Sequence, residues 1–134
     1  MPATVIDVVA WIEIRAGTVL TVRSHGSDTF WIPGGKTEPE ESELDALCRE
    51  AHEELGVVLD PASARLFGRY DGHAHGQPPH VRISMACYRA EATGVPRPCA
   101  EIAELDWFGW ADRDRVADAD RRVFDDLHRA GLLR

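Results

Sequence analysis

The chain has 134 residues, enough for one domain with a sizeable core, and its 44% hydrophobic and 28% charged residues are those of an ordinary globular protein. A net charge of −8 argues against a protein that grips bare nucleic acid through its phosphates. It leaves open a small anionic substrate that arrives with a metal ion, because the ion supplies the positive charge. No uncharged apolar run approaches the roughly 20 residues that span a bilayer, and no basic region precedes the first apolar segment. The three cysteines form no CxxC pair and fit a reducing compartment. The expectation is a cytoplasmic protein with no membrane association.

In chain order, Val5–Ile14 is rich in Val, Ile and Trp and predicts a strand, followed by a turn at Ala16-Gly17 and a second strand over Val19–Arg23. Ser24–Thr29 is a polar loop. The apolar Phe30-Trp31-Ile32 runs into Pro33-Gly34-Gly35, which reads as a breaker. An acid-rich stretch then leads to a helix over Ser42–Leu55, with Gly56 as its stop. A short strand is expected over Leu66–Tyr70, and an exposed loop over Asp71–Pro79, which holds two Gly, two Pro and two His.

Val81–Ala90 alternates, with Val81, Ile83, Met85 and Cys87 on one face and Arg82, Ser84 and Tyr88 on the other. After a loop at Thr93–Pro98, Leu105–Trp110 predicts a strand. Asp118–Ala130 predicts an amphipathic helix that turns Val123, Phe124 and Leu127 inward and stops at Gly131. Strands surrounding two separated helices define an α/β layered domain with a mixed sheet, expected to occupy residues 1–134 as a single unit.

The chemistry concentrates on the first helix. Leu44, Leu47, Cys48, Ala51 and Leu55 share one side, while Glu43, Glu50, Glu53 and Glu54 gather on another. Glu50, Glu53 and Glu54 stand at i, i+3 and i+4, so their carboxylates crowd one patch. Such crowding is unfavourable in a cleft unless a cation sits among them, and hard oxygen ligands suit Mg²⁺ or Mn²⁺. A bound ion of that kind can polarise a phosphoryl oxygen and generate a nucleophilic hydroxide. Arg49, four residues before Glu53, can hold that carboxylate or touch phosphate. Taken alone, a string such as Glu-Ala-His-Glu-Glu is more often a solvated acidic face.

Its surroundings reverse that reading. Gly35, five residues, Glu41, seven residues, then Arg49-Glu50-Ala51-His52-Glu53-Glu54-Leu55-Gly56-Val57 resembles the Nudix box, G-x5-E-x7-R-E-U-x-E-E-x-G-U, where U is bulky and aliphatic. Ala51 is small where the pattern prefers a larger residue, which bears on packing rather than chemistry. The lead-in from Phe30 to Lys36 and the later Glu101–Trp107 segment also resemble family members, more loosely.

The resemblance implies a Nudix-type α/β/α sandwich with a mixed β-sheet between helices, and hydrolysis of a nucleoside diphosphate linked to a further group. It implies that Glu50, Glu53 and Glu54 hold Mg²⁺, for which Mn²⁺ can substitute. Arg49 would orient a carboxylate and Gly35 would serve a backbone turn. The general base is left between Glu50 and Glu101, with Glu104 behind them. Glu41 is either a supporting acid or a favourable charge at the helix start.

Other residues carry less. Arg23, Lys36 and Gly35 flank the expected cleft as substrate contacts, and Arg82 and Tyr88 are candidates to line it. Trp31, Trp107 and Trp110 are core residues first, although one could stack a purine. His73 and His75 lack a partner at a diagnostic metal-binding spacing. Cys48 belongs to the apolar face.

The favoured substrate by resemblance is a nucleoside triphosphate, oxidised ones included, cleaved to monophosphate and pyrophosphate as in the MutT-like members. Alternatives are ADP-ribose or nucleotide sugars, dinucleoside polyphosphates, and a non-catalytic nucleotide sensor. The partner is thus a small nucleotide, with no direct nucleic-acid binding. A homodimer is compatible with the resemblance, and no interface is readable.

Overall fold

The computed structural model describes residues 2–134. β1 (Thr4–Ile12) lies inside a four-stranded sheet of order β4-β1-β7-β6, with β4 at Gly34–Lys36, β6 at Arg65–His73 and β7 at Val81–Arg89. β1 runs parallel to β7 from Thr4↔Val81 to Ile12↔Arg89, and the β1–β4 and β6–β7 pairs are antiparallel. A second, antiparallel sheet joins β2 (Ile14–Arg15), β3 (Thr18–Ser24) and β9 (Ile102–Phe108). β5 (Val58–Leu59) and β8 (Ala92–Thr93) form a short ribbon.

A strand paired on both sides and covered on both faces should be apolar without alternation, and Val9 through Ile12 are all almost fully buried. Their side chains nevertheless alternate in destination. Val9 and Trp11 join Leu47, Ala51 and Leu55 of α1 (Glu43–Leu55) in one core. Ala10 and Ile12 join Val123, Phe124 and Leu127 of α2 (Asp118–Arg129) in the other. The two helices therefore cover opposite faces, as the mixed α/β layered architecture requires.

α1 begins where its chemistry dictates. The Asp45 N–H donates to Ser42 Oγ at 3.0 Å and the Ser42 N–H to Asp45 Oδ2 at 3.3 Å, a reciprocal cap that satisfies two orphan amides. It ends at Gly56, whose φ of 71° places it in the left-handed region.

Three local expectations are corrected. Pro33-Gly34-Gly35 is no simple breaker, since Gly34 and Gly35 open β4. A Cβ on Gly34 would lie 1.8 Å from the Val9 carbonyl oxygen, so the missing side chain is what lets β4 close on β1. β6 continues to His73, which shortens the predicted Asp71–Pro79 loop to a turn. Gly72 and Ala74 are buried there, and a Cβ on Gly72 would lie 2.8 Å from Ala119. β9 spans Ile102–Phe108 rather than Leu105–Trp110, and Trp110–Arg115 form a 3-10 helix. Pairing with β3, from Ser24↔Ile102 to Val19↔Phe108, overrides the weak strand propensity of Glu104 and Asp106.

Candidate active site

Arg49 organises the acidic end. Its Nε and Nη2 donate to the two oxygens of Glu41 at 2.7 and 2.9 Å, Nη1 donates to Glu50 Oε1 at 2.9 Å and Glu53 Oε2 at 3.3 Å, and Nη2 also reaches the Lys36 carbonyl at 3.0 Å. All three guanidinium nitrogens are thus engaged by the chain. Of the two roles open to Arg49, holding carboxylates is the one this geometry displays. The bidentate contact, helped by the Glu38 N–H at 2.8 Å, holds the Glu41 carboxyl down to about 2, beside the start of α1.

Glu54 is only 3% exposed, unusual for a carboxylate. Gly34 N–H donates to its Oε1 at 2.9 Å. Burial, followed by the charge of Glu50, outweighs that bond and pushes the Glu54 carboxyl up to about 8. Burial also raises Glu50, against the pull of Arg49 and with the added push of Glu53 and Glu101. Gly35 makes room for Glu50, because a Cβ there would stand 2.5 Å from its carboxyl carbon.

These acids open into a cleft of about 640 Å³. Glu50, Glu54, Glu101, Gly35 and Lys36 line it at one side; Ile6, Val8, Ile83 and Met85 wall the rest, and Trp31 and His75 also face it. Asp120 sits among the apolar walls, 3% exposed, with its Oδ1 accepting the Ile32 N–H at 3.2 Å. Burial pushes its carboxyl up to about 7. The sequence reading missed Asp120, yet a signal existed. With Val123, Phe124 and Leu127 it occupies the i, i+3, i+4, i+7 stripe of α2, a charged residue on a buried face.

Other predicted contacts lie elsewhere. Glu53 has a side chain 52% exposed and is outside the cleft lining, although Arg49 ties it to Glu50. Arg23 donates to Glu104 at 2.8 Å and to the Ser27 carbonyl at 2.8 Å, and neither Arg23, Glu104 nor Arg82 lines the cleft. Arg82 sits in register with His73 and lends its charge to Asp118.

Glu43 does not join the acidic patch. It accepts bonds from Tyr88 at 2.6 Å and Arg69 at 2.8 Å, because the helix crosses the sheet and its first turn lies over β6 and β7. This also takes Tyr88 out of the cleft lining. His73 Nε2 lies 2.7 Å from the Gln77 carbonyl and braces the β6–β7 turn. Trp107 lies under Arg15, and Trp110 stacks on His128.

The donor chemistry fits a hard divalent cation. Three carboxylates, Glu50, Glu54 and Glu101, share one wall; burial and neighbouring acids raise Glu50 and Glu54, and the Arg49 guanidinium holds Glu50. Among the described residues, no three His, Cys, Asp or Glu side chains already stand as a closed ligand set. Arg49 holds Glu50 and Glu53 instead. No helix among these residues is long and apolar enough to cross a membrane.

An α/β/α sandwich with a glutamate-rich helix bordering such a cleft defines a class, and the family follows from comparison. Residues 4–127 match the model of the NUDIX domain, and the chain belongs to that family. YjhB of Bacillus subtilis, whose name offers ADP-ribose pyrophosphatase as a proposed activity, is 30% identical over 84 residues, 60% of this chain and 39% of that protein. The chain therefore matches well under half the length of that relative. The E. coli ORF135 protein is similar in structure at a TM-score of 0.68 and 28% identity, covering 96% of this chain and 94% of that one. A MutT NUDIX hydrolase from Burkholderia pseudomallei shares the fold at a TM-score of 0.73 and 24% identity, over 91% and 97% of the two chains.

Proposed function

We propose that this protein hydrolyses a nucleoside diphosphate-linked compound with Mg²⁺, and that a nucleoside triphosphate, converted to monophosphate and pyrophosphate, is its preferred substrate. One observation carries the reading. A single cleft joins the acidic wall of Glu50, Glu54 and Glu101 to an apolar compartment that holds one buried acceptor, Asp120. That combination suits a molecule with a polyanionic end and a flat, weakly polar end, and the volume falls in the usual range for small-molecule sites.

Glu50, Glu53 and Glu54 would hold the cation, which supplies charge neutralisation on the phosphate oxygens. Mn²⁺ is expected to substitute. Arg49 keeps Glu50 and Glu53 oriented. Lys36, in the cleft lining, presents an ammonium to phosphate. Glu101 is the better placed of the two base candidates, because Glu50 is held by Arg49. It takes a proton from water as the water oxygen bonds to phosphorus, and the phosphoanhydride bond opposite breaks, leaving the electron pair on the departing phosphate oxygen. Asp120 accepts a hydrogen bond from the nucleobase. The likeness to YjhB supports a second substrate reading, ADP-ribose.

The test is incubation with Mg²⁺ and a panel of dNTPs, 8-oxo-dGTP, ADP-ribose, UDP-glucose and diadenosine tetraphosphate, with products resolved by chromatography. Monophosphate plus pyrophosphate, lost on chelation, is the expected result. Cleavage of ADP-ribose alone would move the substrate assignment to the second reading, and nucleotide binding without turnover would point to a sensor. Glu53→Gln should lower kcat by at least ~100-fold with an unchanged melting temperature; full turnover in that variant would remove Glu53 from the metal site.

A further inference from the structure

Glu101 lies on neither a helix nor a strand. It is the last residue before β9, and the preceding Ala100 has a φ of 52°, a left-handed conformation uncommon for a residue with a side chain. A turn of this kind keeps its shape only when its surroundings impose it. Here the surroundings are the end of α1. The last carbonyls of a helix lack intrahelical partners, and two of them accept the turn's amides: Arg97 N–H donates to the Leu55 carbonyl and Cys99 N–H to the Glu54 carbonyl, each at 3.0 Å. Farther along, Ile102 N–H donates to the Cys99 carbonyl, and the Glu101 carbonyl accepts His25 N–H, again at 3.0 Å each.

The Arg97 side chain adds to this anchorage. Its guanidinium lies over Gly56, the residue that closes α1, so near that a Cβ on Gly56 would come within 3.2 Å of the guanidinium carbon. A cation at that point faces the negative end of the helix dipole. Glu54 thereby has two roles in one frame. Its carboxylate lines the cleft, and its carbonyl holds the strap that carries Glu101.

We propose that Arg97 is a positioning residue for Glu101: by docking on the closed end of α1, it fixes residues 97–101 so that the Glu101 carboxylate faces Glu50 and Glu54. The inference rests on the reading of Glu101 as general base. A pinned strap suits a base that must meet its water at one distance, since a displacement of about 1 Å can cost up to a hundredfold in rate.

The test compares Arg97→Ala, Arg97→Lys, Glu101→Gln and the Arg97→Ala/Glu101→Gln pair on the preferred substrate of the panel. Arg97→Ala should lower kcat by about tenfold or more while KM and melting temperature stay near wild type, and Arg97→Lys should recover part of the loss. The Cys99 amide should exchange faster in Arg97→Ala. Because Arg97 acts through Glu101, the double variant should be no slower than Glu101→Gln alone. Normal kcat in Arg97→Ala beside an inactive Glu101→Gln overturns the role of Arg97 only, as does a double variant whose losses multiply. Full turnover in Glu101→Gln overturns the base assignment itself, and with it this positioning role.

Discussion

Asp120 shows how far a single residue's environment can depart from its chemistry in water. Its ordinary carboxyl value of 3.8 is pushed to about 7 by burial. Between those two values the unfolded chain is ionised there and the folded chain is protonated, so the unfolded state binds fewer protons and stability falls as pH rises. Above about pH 7 the loss is complete, and below about pH 4 it is absent. Asp120→Asn keeps an oxygen for the Ile32 amide but carries no charge. Urea midpoints should therefore show the variant gaining on wild type from pH 5 to pH 8, by a few kcal/mol at most. Parallel stability curves for the two proteins would contradict this account of Asp120. Its low pKa neighbour in kind, Glu41, obeys the opposite rule because Arg49 rewards its charge.

Among the elements, α1 and β4 together make the acidic wall. Two adjacent glycines of β4 face different obstacles. A Cβ on Gly34 meets the Val9 carbonyl, which is backbone and cannot turn aside, whereas one on Gly35 meets the end of the Glu50 side chain. Gly34→Ala should thus lose about 2–3 kcal/mol of folding stability. Gly35→Ala should fold almost normally yet lose about tenfold or more in kcat, because the carboxylate must move off its position. Denaturation and kinetics on the same pair of variants check both, and equal stability losses would show that β4 is not closed as described. The limits of α1 were legible from Ser42 and Gly56 alone, since caps are local chemistry. β4 was not, because its need for glycine comes from a partner strand more than twenty residues away.

Across the whole molecule, a layer of strands from both sheets separates two cores, with β1 and β3 sending side chains into each. Leu47 and Phe124, each at most 1% exposed, stand on opposite sides of it. Leu47→Ala and Phe124→Ala should each cost about 2–5 kcal/mol. With no shared cavity, the double variant should lose the sum to within ~0.5 kcal/mol; a strong departure in chemical denaturation would mean that the cores repack as one. The cleft also belongs to this scale, as Glu50 and Glu54 come from α1, Glu101 from the turn before β9, Asp120 from α2 and the apolar walls from β1 and β7.

What the amino-acid sequence determined by itself is what depends on neighbours along the chain. These are the helix that places Glu50, Glu53 and Glu54 at i, i+3 and i+4, the alternation of β7, the inward face of α2, and the box pattern that marks the family. Tertiary structure alone decided which of those residues share a space. It sent Glu43 to Arg69 and Tyr88, tied Arg23 to Glu104, brought Glu101 beside Glu54 across some fifty residues of chain, and set Asp120 in an apolar wall. The reason is the range of the forces involved. Helix register and capping are settled within one or two turns, whereas burial and long-range pairing, which set the charge state and neighbours of each acid, exist only once the sheet has closed.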